Sequence, residues 1–381
     1  MFIFVGSLIK KLLLVIISLS TFLLLAEGFS RLKYHPEKIE FSGLFEYDPE
    51  KSYRLKDNTI GEFEGKEIKT NEYGYQGGSF SVNKDQNEWR ILFLGDSITF
   101  GHGVDFENTF TQQYQASLSS EYPNKKITTI NAGVPGYSSM QEYFDFIRSL
   151  KFKPDVAVVQ FTLNDVIEPF LFQLELGGSG IDYHGVEDMS FWHFYLSQRS
   201  ALYLFLIDMM KIVRFGTTDD KLIQSKAKKF ESLDAEQLVS STDDPRQNIQ
   251  WSEYFKWLEK ITNTCEQYEI SCYILISPYT FQLELNIKNA SPQQKIIDFA
   301  QKHNLKVIDM LPLLQESARQ EIIMAHKLPL DTEYDQIISN HLDDLKKITT
   351  KYFLDYDHYT PLGHAFVSDE LMKQLNKPTK E

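Results

Sequence analysis

Residues 91–97 read Ile91-Leu92-Phe93-Leu94-Gly95-Asp96-Ser97, four apolar side chains followed by a glycine, an acid and a serine. A short apolar run of this kind is typical of a buried strand in a parallel sheet. Open α/β sheets bind their ligands at the carboxyl ends of such strands, which is where Ser97 would lie. A serine in that position can act as a nucleophile if a base from elsewhere in the chain reaches it.

The rest of the chain alternates between strand and helix patterns. Further strands are expected at 126–131, 155–161, 272–277 and 305–310, and helices at 107–120, 251–268 and 292–303. Another helix opens near 138, where Ser139 and Glu142 have the spacing of a capping box. The last helix opens at Thr360 and Pro361, an N-cap followed by proline at the first helical position. Five strands separated by helices predict a parallel sheet with helices on both faces.

Composition limits the class of protein. The chain has 381 residues, enough for one large domain or two smaller ones, and a formal net charge of −14. That charge disfavours nucleic acid as a partner, because phosphates are bound by clustered Lys and Arg. The two cysteines, Cys265 and Cys272, lack the spacing and the histidine partners of a zinc site. A local disulfide and a pair of buried thiols are both open for them.

The N-terminus is expected to lie outside the globular fold. The uncharged stretch 12–26 follows Lys10 and Lys11, and its length suits either a signal peptide or a short membrane anchor. We expect residues 1–30 to form an uncleaved anchor, with the globular part of the chain outside the cytoplasm. If this segment is cleaved instead, the protein would be secreted. Residues 31–88 would form a juxtamembrane segment.

Residues 89–376 are expected to form the catalytic domain, with an insertion at about 166–249 that covers the edge of the sheet where strands end. The insertion contains the apolar run 202–210. This run is too short to span a bilayer, and it predicts a buried helix. Such insertions are where substrate selectivity would lie.

Two loops offer groups that could stabilise an oxyanion. Gly136 lies in the loop 131–137 after a strand, where glycines permit a positive φ and also let the backbone approach a substrate. Asn164 follows the strand 155–161, in a pair with Asp165 that is most often only a turn. At the same edge of the sheet as Ser97, the Asn164 amide could donate to the same oxyanion.

A base for Ser97 is offered near the other end of the chain, by Asp355 and His358. Three residues of separation across a tight turn let the carboxylate hold Nδ1–H and leave Nε2 facing the serine. The roles of two further residues near this motif stay open. His364 is either the base itself or a residue that packs or caps in the final helix, and Asp357 is expected to be a solvated acid.

Taken together and in this order, these residues resemble the SGNH hydrolases, also called the GDSL esterase/lipase family. Gly95-Asp96-Ser97 is similar to the first block of that family and supplies its nucleophile. Gly136 and Asn164 match the glycine and asparagine of the second and third blocks, and Asp355 and His358 match the C-terminal Asp-x-x-His. In the family, the backbone N–H groups of the serine and the glycine and the asparagine side chain form the oxyanion hole.

The resemblance covers roughly residues 90–375 and implies a flavodoxin-like, three-layer α/β/α fold with a five-stranded parallel sheet, here with an added N-terminal membrane helix. Two positions depart from the family pattern. Ile98 replaces the usual leucine, which is harmless, and Thr162 replaces the usual glycine two residues before the asparagine. The Cβ of Thr162 would crowd the acyl pocket.

The resemblance implies a serine esterase that works through an acyl-enzyme without a metal or a cofactor. Its expected substrate is an extracytoplasmic ester, either a small ester or an O-acylated glycan, and its expected membrane contact is the N-terminal segment. An O-acyltransferase with the same triad would differ only in the acceptor of the acyl group. A catalytically silent binding protein of the same fold is the non-enzyme alternative.

Overall fold

The computed structural model describes the chain except for residues 1, 34–42, 167–178, 182–186, 190, 198, 217–234, 236–237, 240–244, 286–290 and 380–381. Its strands are β1 (Phe45–Asp48), β2 (Ser52–Leu55), β3 (Ile60–Phe63), β4 (Lys66–Lys69), β5 (Glu88–Gly95), β6 (Lys126–Gly133), β7 (Val156–Phe161), β8 (Ser179–Ile181), β9 (Glu187–Met189), β10 (Ser271–Ile276) and β11 (Lys306–Asp309).

The helices of the N-terminal half and the insertion are α1 (Phe2–Lys33), α2 (Ser97–Phe100), α3 (Phe110–Glu121), α4 (Ser139–Ser149), α5 (Phe191–Ser197) and α6 (Ala201–Phe215). Those that follow are α7 (Pro245–Gln267), α8 (Thr280–Glu284), α9 (Ser291–Lys302), α10 (Met310–His326), α11 (Tyr334–Asn340), α12 (Leu342–Tyr352) and α13 (Pro361–Gln374). Short 3₁₀ turns occur at Phe106–Asn108 and Leu150–Phe152.

The five predicted strands form one parallel sheet in the order β11-β10-β7-β5-β6. The first strand of the sheet, β5, therefore lies between β6 and β7, and the strand order reverses beside it. Parallel α/β sheets bind ligands at such a switch point, outside the carboxyl ends of the strands. Ser97, Gly136 and Asn164 follow β5, β6 and β7 respectively, so this topology brings all three to the same edge. The predicted fold class is confirmed.

Alternate side chains of β5 enter two separate cores. Leu92 and Leu94 pack on the face covered by α4, α7 and α9, whereas Ile91 and Phe93 pack on the face covered by α3, α10 and α13. Burial on both faces explains why residues 91–94 of this strand are all apolar instead of alternating with polar residues. It also makes β5 a rigid support for the residues that follow it.

Part of the predicted juxtamembrane segment packs beside the site. The strands β1–β4 contribute a small core that includes Phe45 and Tyr53 and also contains Phe100 and Tyr137 from around the sheet edge. The hydroxyl of Tyr53 donates to the carbonyl of Pro135 at 2.6 Å. These contacts support the loop after β6 from its outer side.

Two local predictions were wrong. The capping box of α4 begins at Ser138 with Gln141, one residue earlier than predicted, because Ser138 has the extended backbone of an N-cap and Ser139 is already helical. Within the predicted insertion, whose central parts lie outside the described residues, α6 is not a buried helix. Of the apolar side chains of α6 whose burial the structure describes, only Leu204 and Ile207 are buried.

Cys265 and Cys272 are free thiols in this structure. The hydrogen bond between the two thiols and the burial of Cys265 raise the pKa of Cys265. The pair was expected to be either a local disulfide or two buried thiols. In this structure the cysteines are unbridged, with Cys265 buried and Cys272 half-buried.

Candidate active site

Ser97 is the first residue of α2, directly after β5. Asp96 caps this short helix, because its Oδ1 accepts the N–H of Ile98 at 2.9 Å. The tight strand-to-helix turn depends on Gly95, where an added Cβ would lie 2.6 Å from Oε1 of Gln160 and would collide with Thr99. The turn therefore holds Ser97 at the tip of the strand, with only 6% of its surface exposed.

His358 lies in a hairpin-like turn between α12 and α13. Phe353 and Tyr359 form an antiparallel bridge across the base of this turn, and the N–H of Leu354 donates to the carbonyl of His358 at 2.7 Å. Oδ1 of Asp355 accepts the backbone N–H of His358 at 3.0 Å. The backbone thus holds the acid and the imidazole of the Asp-x-x-His motif in one fixed geometry.

The two halves of the predicted site meet. Nε2 of His358 lies 2.8 Å from Oγ of Ser97, and Nδ1 of the same ring lies 2.9 Å from Oδ2 of Asp355. Both are hydrogen-bond distances, and each ring nitrogen has one partner of the kind that a catalytic triad requires. Ser97 and His358 are separated by 261 positions in sequence, so only the fold can bring them together.

Asp355 remains ionised beside the imidazole. Burial opposes its charge, but the hydrogen bond and the charge of His358, together with backbone N–H groups, lower the pKa of Asp355 well below its usual range. A carboxylate that accepts several hydrogen bonds is stabilised in its charged form. This group can therefore orient the ring and stabilise an imidazolium.

Asp357 was expected to be solvated, but the structure buries it. It is 1% exposed, and its Oδ1 lies 3.0 Å from Nδ1 of His358. Hydrogen bonds join Nδ1 to both carboxylate oxygens of Asp355, and Asp357 lies beside the ring as a second acid. A second acid next to the base was not anticipated, because sequence spacing does not show on which side of a turn a side chain lies.

His364 does not face Ser97. It is buried in α13, its Nδ1 accepts the N–H of Phe110 at 3.2 Å, and its ring stacks on that of Phe110. Burial, and to a lesser degree the charge of His358, lower the pKa of His364 to about 3. This histidine is a neutral packing residue, and of the two alternatives for it the structure favours the second.

Asn164 is connected to the nucleophile through Asp96. Its Nδ2 donates to Oδ2 of Asp96 at 2.9 Å, and the turn that carries it is held by the N–H of Thr162, which donates to Oδ2 of Asp165 at 2.8 Å. Burial raises the pKa of Asp96, while the hydrogen bonds from Asn164 and Ile98 oppose that rise. The amide is thereby fixed next to the turn that carries Ser97.

Gly136 lies in the loop that follows β6. Its φ of 77° is in the left-handed region, which glycine adopts without a steric cost. The N–H of Val134 donates to the carbonyl of Gly95 at 3.1 Å and so ties this loop to the end of β5. The loop therefore lies beside Ser97, as predicted. The catalytic roles assigned to the predicted site residues stay predictions; these residues are Ser97, Gly136, Asn164, Asp355 and His358.

Sequence reasoning missed His102. Its ring stacks on that of His358 with centroids 3.9 Å apart and an interplanar angle of 15°, and it makes an edge-type contact with the ring of Phe63. The stack helps to fix the plane of the base. The signal in sequence was Gly101 and Gly103, which release the chain from α2 so that His102 can fold back.

Two groups of side chains in the described part of the chain bring potential metal ligands together. One is His102, Asp355 and His358. The other is His326 at the end of α10, His341 between α11 and α12, and Asp344 in α12. In the first group the two rings are nearly parallel, so their in-plane lone pairs do not converge on one point. Both nitrogens of His358 also have hydrogen-bond partners. The first group suits proton transfer better than metal binding.

Glu142 on α4 is a buried acid near the site. Both of its carboxylate oxygens lack a hydrogen-bond partner among the described residues. Burial, followed by the charges of Asp96 and Asp145, raises the pKa of Glu142 well above its ordinary value. The side chain is therefore protonated in the folded protein at a pH where the unfolded chain would be ionised.

Replacement of Glu142 by glutamine is expected to stabilise the protein at about pH 8 more than at about pH 5. A raised folded-state pKa contributes stability below the unfolded pKa of about 4.3, and this contribution is lost as the pH rises towards the folded value. Thermal unfolding of both proteins at the two pH values measures the effect. The exposed Glu107→Gln is the control, and an equal shift at both pH values would contradict the burial argument.

Residues 93–182 match the GDSL-like lipase/acylhydrolase family, a segment that runs from β5 through the Gly136 loop and Asn164. No curated protein matches the chain.

The solved structures to which the chain is similar include three of low identity. The acetyl xylan esterase AlAXEase is 15% identical, with 74% of this chain and 98% of that chain covered and a TM-score of 0.39. A putative lipolytic G-D-S-L protein from Desulfitobacterium hafniense is 11% identical, with 74% and 98% covered and a TM-score of 0.37. A G-D-S-L family member from Veillonella parvula is 12% identical, with 75% and 97% covered and a TM-score of 0.38.

Proposed function

The chain belongs to the GDSL-like lipase/acylhydrolase family of ester-hydrolysing enzymes, and from this premise we propose that it cleaves carboxylic esters through a triad of Ser97, His358 and Asp355. The observation that carries the proposal is the 2.8 Å contact between Nε2 of His358 and Oγ of Ser97. A neutral imidazole at that distance can take the hydroxyl proton as the oxygen attacks.

The proposed reaction has two steps. Oγ of Ser97 attacks the ester carbonyl while Nε2 of His358 takes its proton, and the tetrahedral intermediate then expels the alcohol, which receives that proton. Water next attacks the acyl-enzyme with the same ring as base and releases the carboxylic acid and free Ser97. Asp355 keeps Nδ1 protonated, so that Nε2 is the basic nitrogen, and stabilises the imidazolium in both steps.

The oxyanion of each intermediate would be held by the N–H groups of Ser97 and Gly136 and by the amide of Asn164. Ser97 is the first residue of α2, so its N–H belongs to the start of a helix. Gly136 has a positive φ, a backbone conformation that residues with a side chain rarely adopt. Preorganised donors of this kind are worth most in a site from which water is excluded. Asp96 supports the arrangement by fixing Asn164.

Asn164→Ala is expected to lower kcat by about 10²–10³ with little change in KM, because the donor acts on charge that appears only in the transition state. Steady-state kinetics on p-nitrophenyl acetate measure this. The exposed Asn340→Ala serves as the control. An unchanged kcat would reduce Asn164 to a turn residue.

For the substrate we propose an ester with a short acyl group, carried by a small alcohol or by a glycan. Ser97 and His358 are 6% and 5% exposed, so little of the site is open around them. Thr162 is fully buried at the end of β7, at a family position where glycine would leave more room. A bulky acyl chain would have to compete with its side chain.

Thr162→Gly is expected to raise the ratio of kcat/KM for butyryl over acetyl esters by about tenfold or more, the effect of fitting additional methylene groups in a pocket. Thr162→Ser, which retains the Cβ and the hydroxyl, is the matched control. The measurement is a panel of acetyl, butyryl and longer esters, with acetylated oligosaccharides included. A ratio that stays constant would remove Thr162 from the acyl pocket.

The same panel run with added sugar acceptors tests the O-acyltransferase alternative. Acylated sugar among the products would identify the acceptor as a hydroxyl, and free acid alone would identify it as water. Both outcomes use the same acyl-enzyme, so Ser97 remains the nucleophile in either case.

We further propose that α1 anchors the protein in a membrane with the catalytic part outside the cytoplasm. The segment Lys10–Lys33 is long and apolar enough to cross a bilayer, and none of its most hydrophobic window is buried in the protein. A soluble core helix of that composition would be covered. Lys10 and Lys11 before the apolar stretch favour an N-terminus on the inner side, while Arg31, Lys33 and Lys38 after it oppose that orientation. The inner side is proposed because a short N-terminal tail usually stays inside.

A further inference from the structure

The helix α6 turns its apolar side outwards. Six large apolar side chains are exposed along it, with values that range from 39% to 83%: Phe205, Leu206, Met209, Met210, Ile212 and Val213. At 100° per residue these six positions fall within an arc of roughly 160°. The buried Leu204 and Ile207 lie outside that arc and face the protein.

This polarity is the reverse of that expected for the surface helix of a water-soluble protein, which presents charged residues to solvent. Asp208, which is half-buried, lies outside the exposed arc on the side of Leu204. A continuous exposed apolar face of this size marks a binding surface rather than ordinary surface variation.

The position of α6 identifies its partner. Glu27 of α1 accepts the N–H groups of Ala201 and Leu202, each at 3.0 Å, and the hydroxyl of Ser200 at 2.7 Å. Arg31 of α1 donates to the carbonyl of Arg199 at 2.6 Å. The start of α6 is therefore bound to the end of the segment proposed to cross the membrane.

Glu27 directly follows the uncharged stretch 12–26, which places this joint where a membrane-spanning α1 would leave the hydrocarbon. The neighbouring helix α5 exposes Trp192 and Tyr195, residue types that are enriched at the membrane–water interface. The guanidinium of Arg199 lies 4.1 Å from the centroid of the Tyr195 ring. Aromatic and basic groups thus lie next to the start of the helix that carries the apolar face.

We propose that α6 lies in the membrane–water interface beside α1, with its exposed apolar face in the lipid. The proposal rests on the anchoring of α1 proposed above. With 15 residues, α6 is too short to span a bilayer, whereas an amphipathic helix of this kind binds in the plane of the interface. The catalytic domain would then be held against the membrane at two points, α1 and α6.

Environment-sensitive fluorophores on single cysteines test this in the full chain. Leu206→Cys and Val213→Cys report on α6, Leu19→Cys reports on α1, and Leu330→Cys, in the exposed turn between α10 and α11, is the aqueous reference. Each variant is made in a Cys272→Ala background, in which only the buried Cys265 remains, and is labelled with a nitrobenzoxadiazole probe. The proteins are reconstituted in vesicles of phosphatidylethanolamine and phosphatidylglycerol, with and without spin-labelled lipid.

We expect the probes at 206 and 213 to show blue-shifted emission and quenching by spin-labelled lipid, as the probe at 19 does, while the probe at 330 shows neither. Quenching at 19 with aqueous behaviour at 206 and 213 would overturn the inference for α6 and leave the anchor intact. An aqueous signal at 19 as well would overturn the anchor and this inference together.

Discussion

Ser97→Ala is expected to lower kcat on p-nitrophenyl acetate on the order of 10⁶-fold while KM changes little, since the variant loses the atom that forms the acyl-enzyme. The hydroxyl is nearly buried and 2.8 Å from the base, so its removal leaves no alternative nucleophile in place. Residual turnover would come from transition-state binding in the oxyanion hole alone. Steady-state kinetics with protein purified to the absence of host esterases measure the loss.

The control for this variant is Ser120→Ala on the exposed side of α3. Its activity should equal that of the unmodified enzyme. Thermal unfolding of Ser97→Ala should show an intact fold, because the backbone turn is fixed by Asp96 and Gly95 and does not use the hydroxyl. Turnover that survived the change in a folded protein would sink the assignment of Ser97.

The second large effect is expected for Asp355→Asn, at about 10⁴-fold in kcat. An amide at this position favours the wrong tautomer of His358, with the proton on Nε2, and it no longer stabilises the imidazolium. Asp355 is the acid with hydrogen bonds to Nδ1 and to the backbone of His358. Kinetics across a range of pH, with a check of folding, measure the change.

Asp357→Asn is the matched control, because Asp357 also lies near Nδ1, whereas Asp355 is hydrogen-bonded both to Nδ1 and to the backbone N–H of His358. Its loss of kcat should be much smaller than that of Asp355→Asn. If the order of the two effects were reversed, Asp357 would be the acid of the triad and the spacing Asp-x-x-His would be coincidental here.

The parallel sheet could be predicted from sequence because its information is local. Burial on both faces makes 91–94 of β5 and 156–159 of β7 uninterrupted apolar runs, and polar residues follow both strands at the same edge of the sheet. Asp355 and His358 could be paired for a similar reason, since three residues across a tight turn already limit their separation. Residues whose contacts are fixed by such short spacings can be predicted from a single sequence.

Other features depend on contacts between distant segments. The stack of His102 on His358 joins residues from opposite ends of the domain, and no periodicity records it. The burial of Asp357 depends on which side of its turn faces the protein. The apolar run in α6 predicts a helix, but hydrophobicity alone does not distinguish a face buried in protein from a face directed outwards.

The most direct test of the account is the site of covalent labelling by a fluorophosphonate probe, which reacts only with a serine activated by a neighbouring base. Peptide mass spectrometry after labelling of the full chain should place the probe on Ser97, and His358→Ala should abolish that labelling while His364→Ala in a folded protein leaves it. A probe on another residue, or labelling of Ser97 that is unaffected by His358→Ala, would contradict the proposed mechanism.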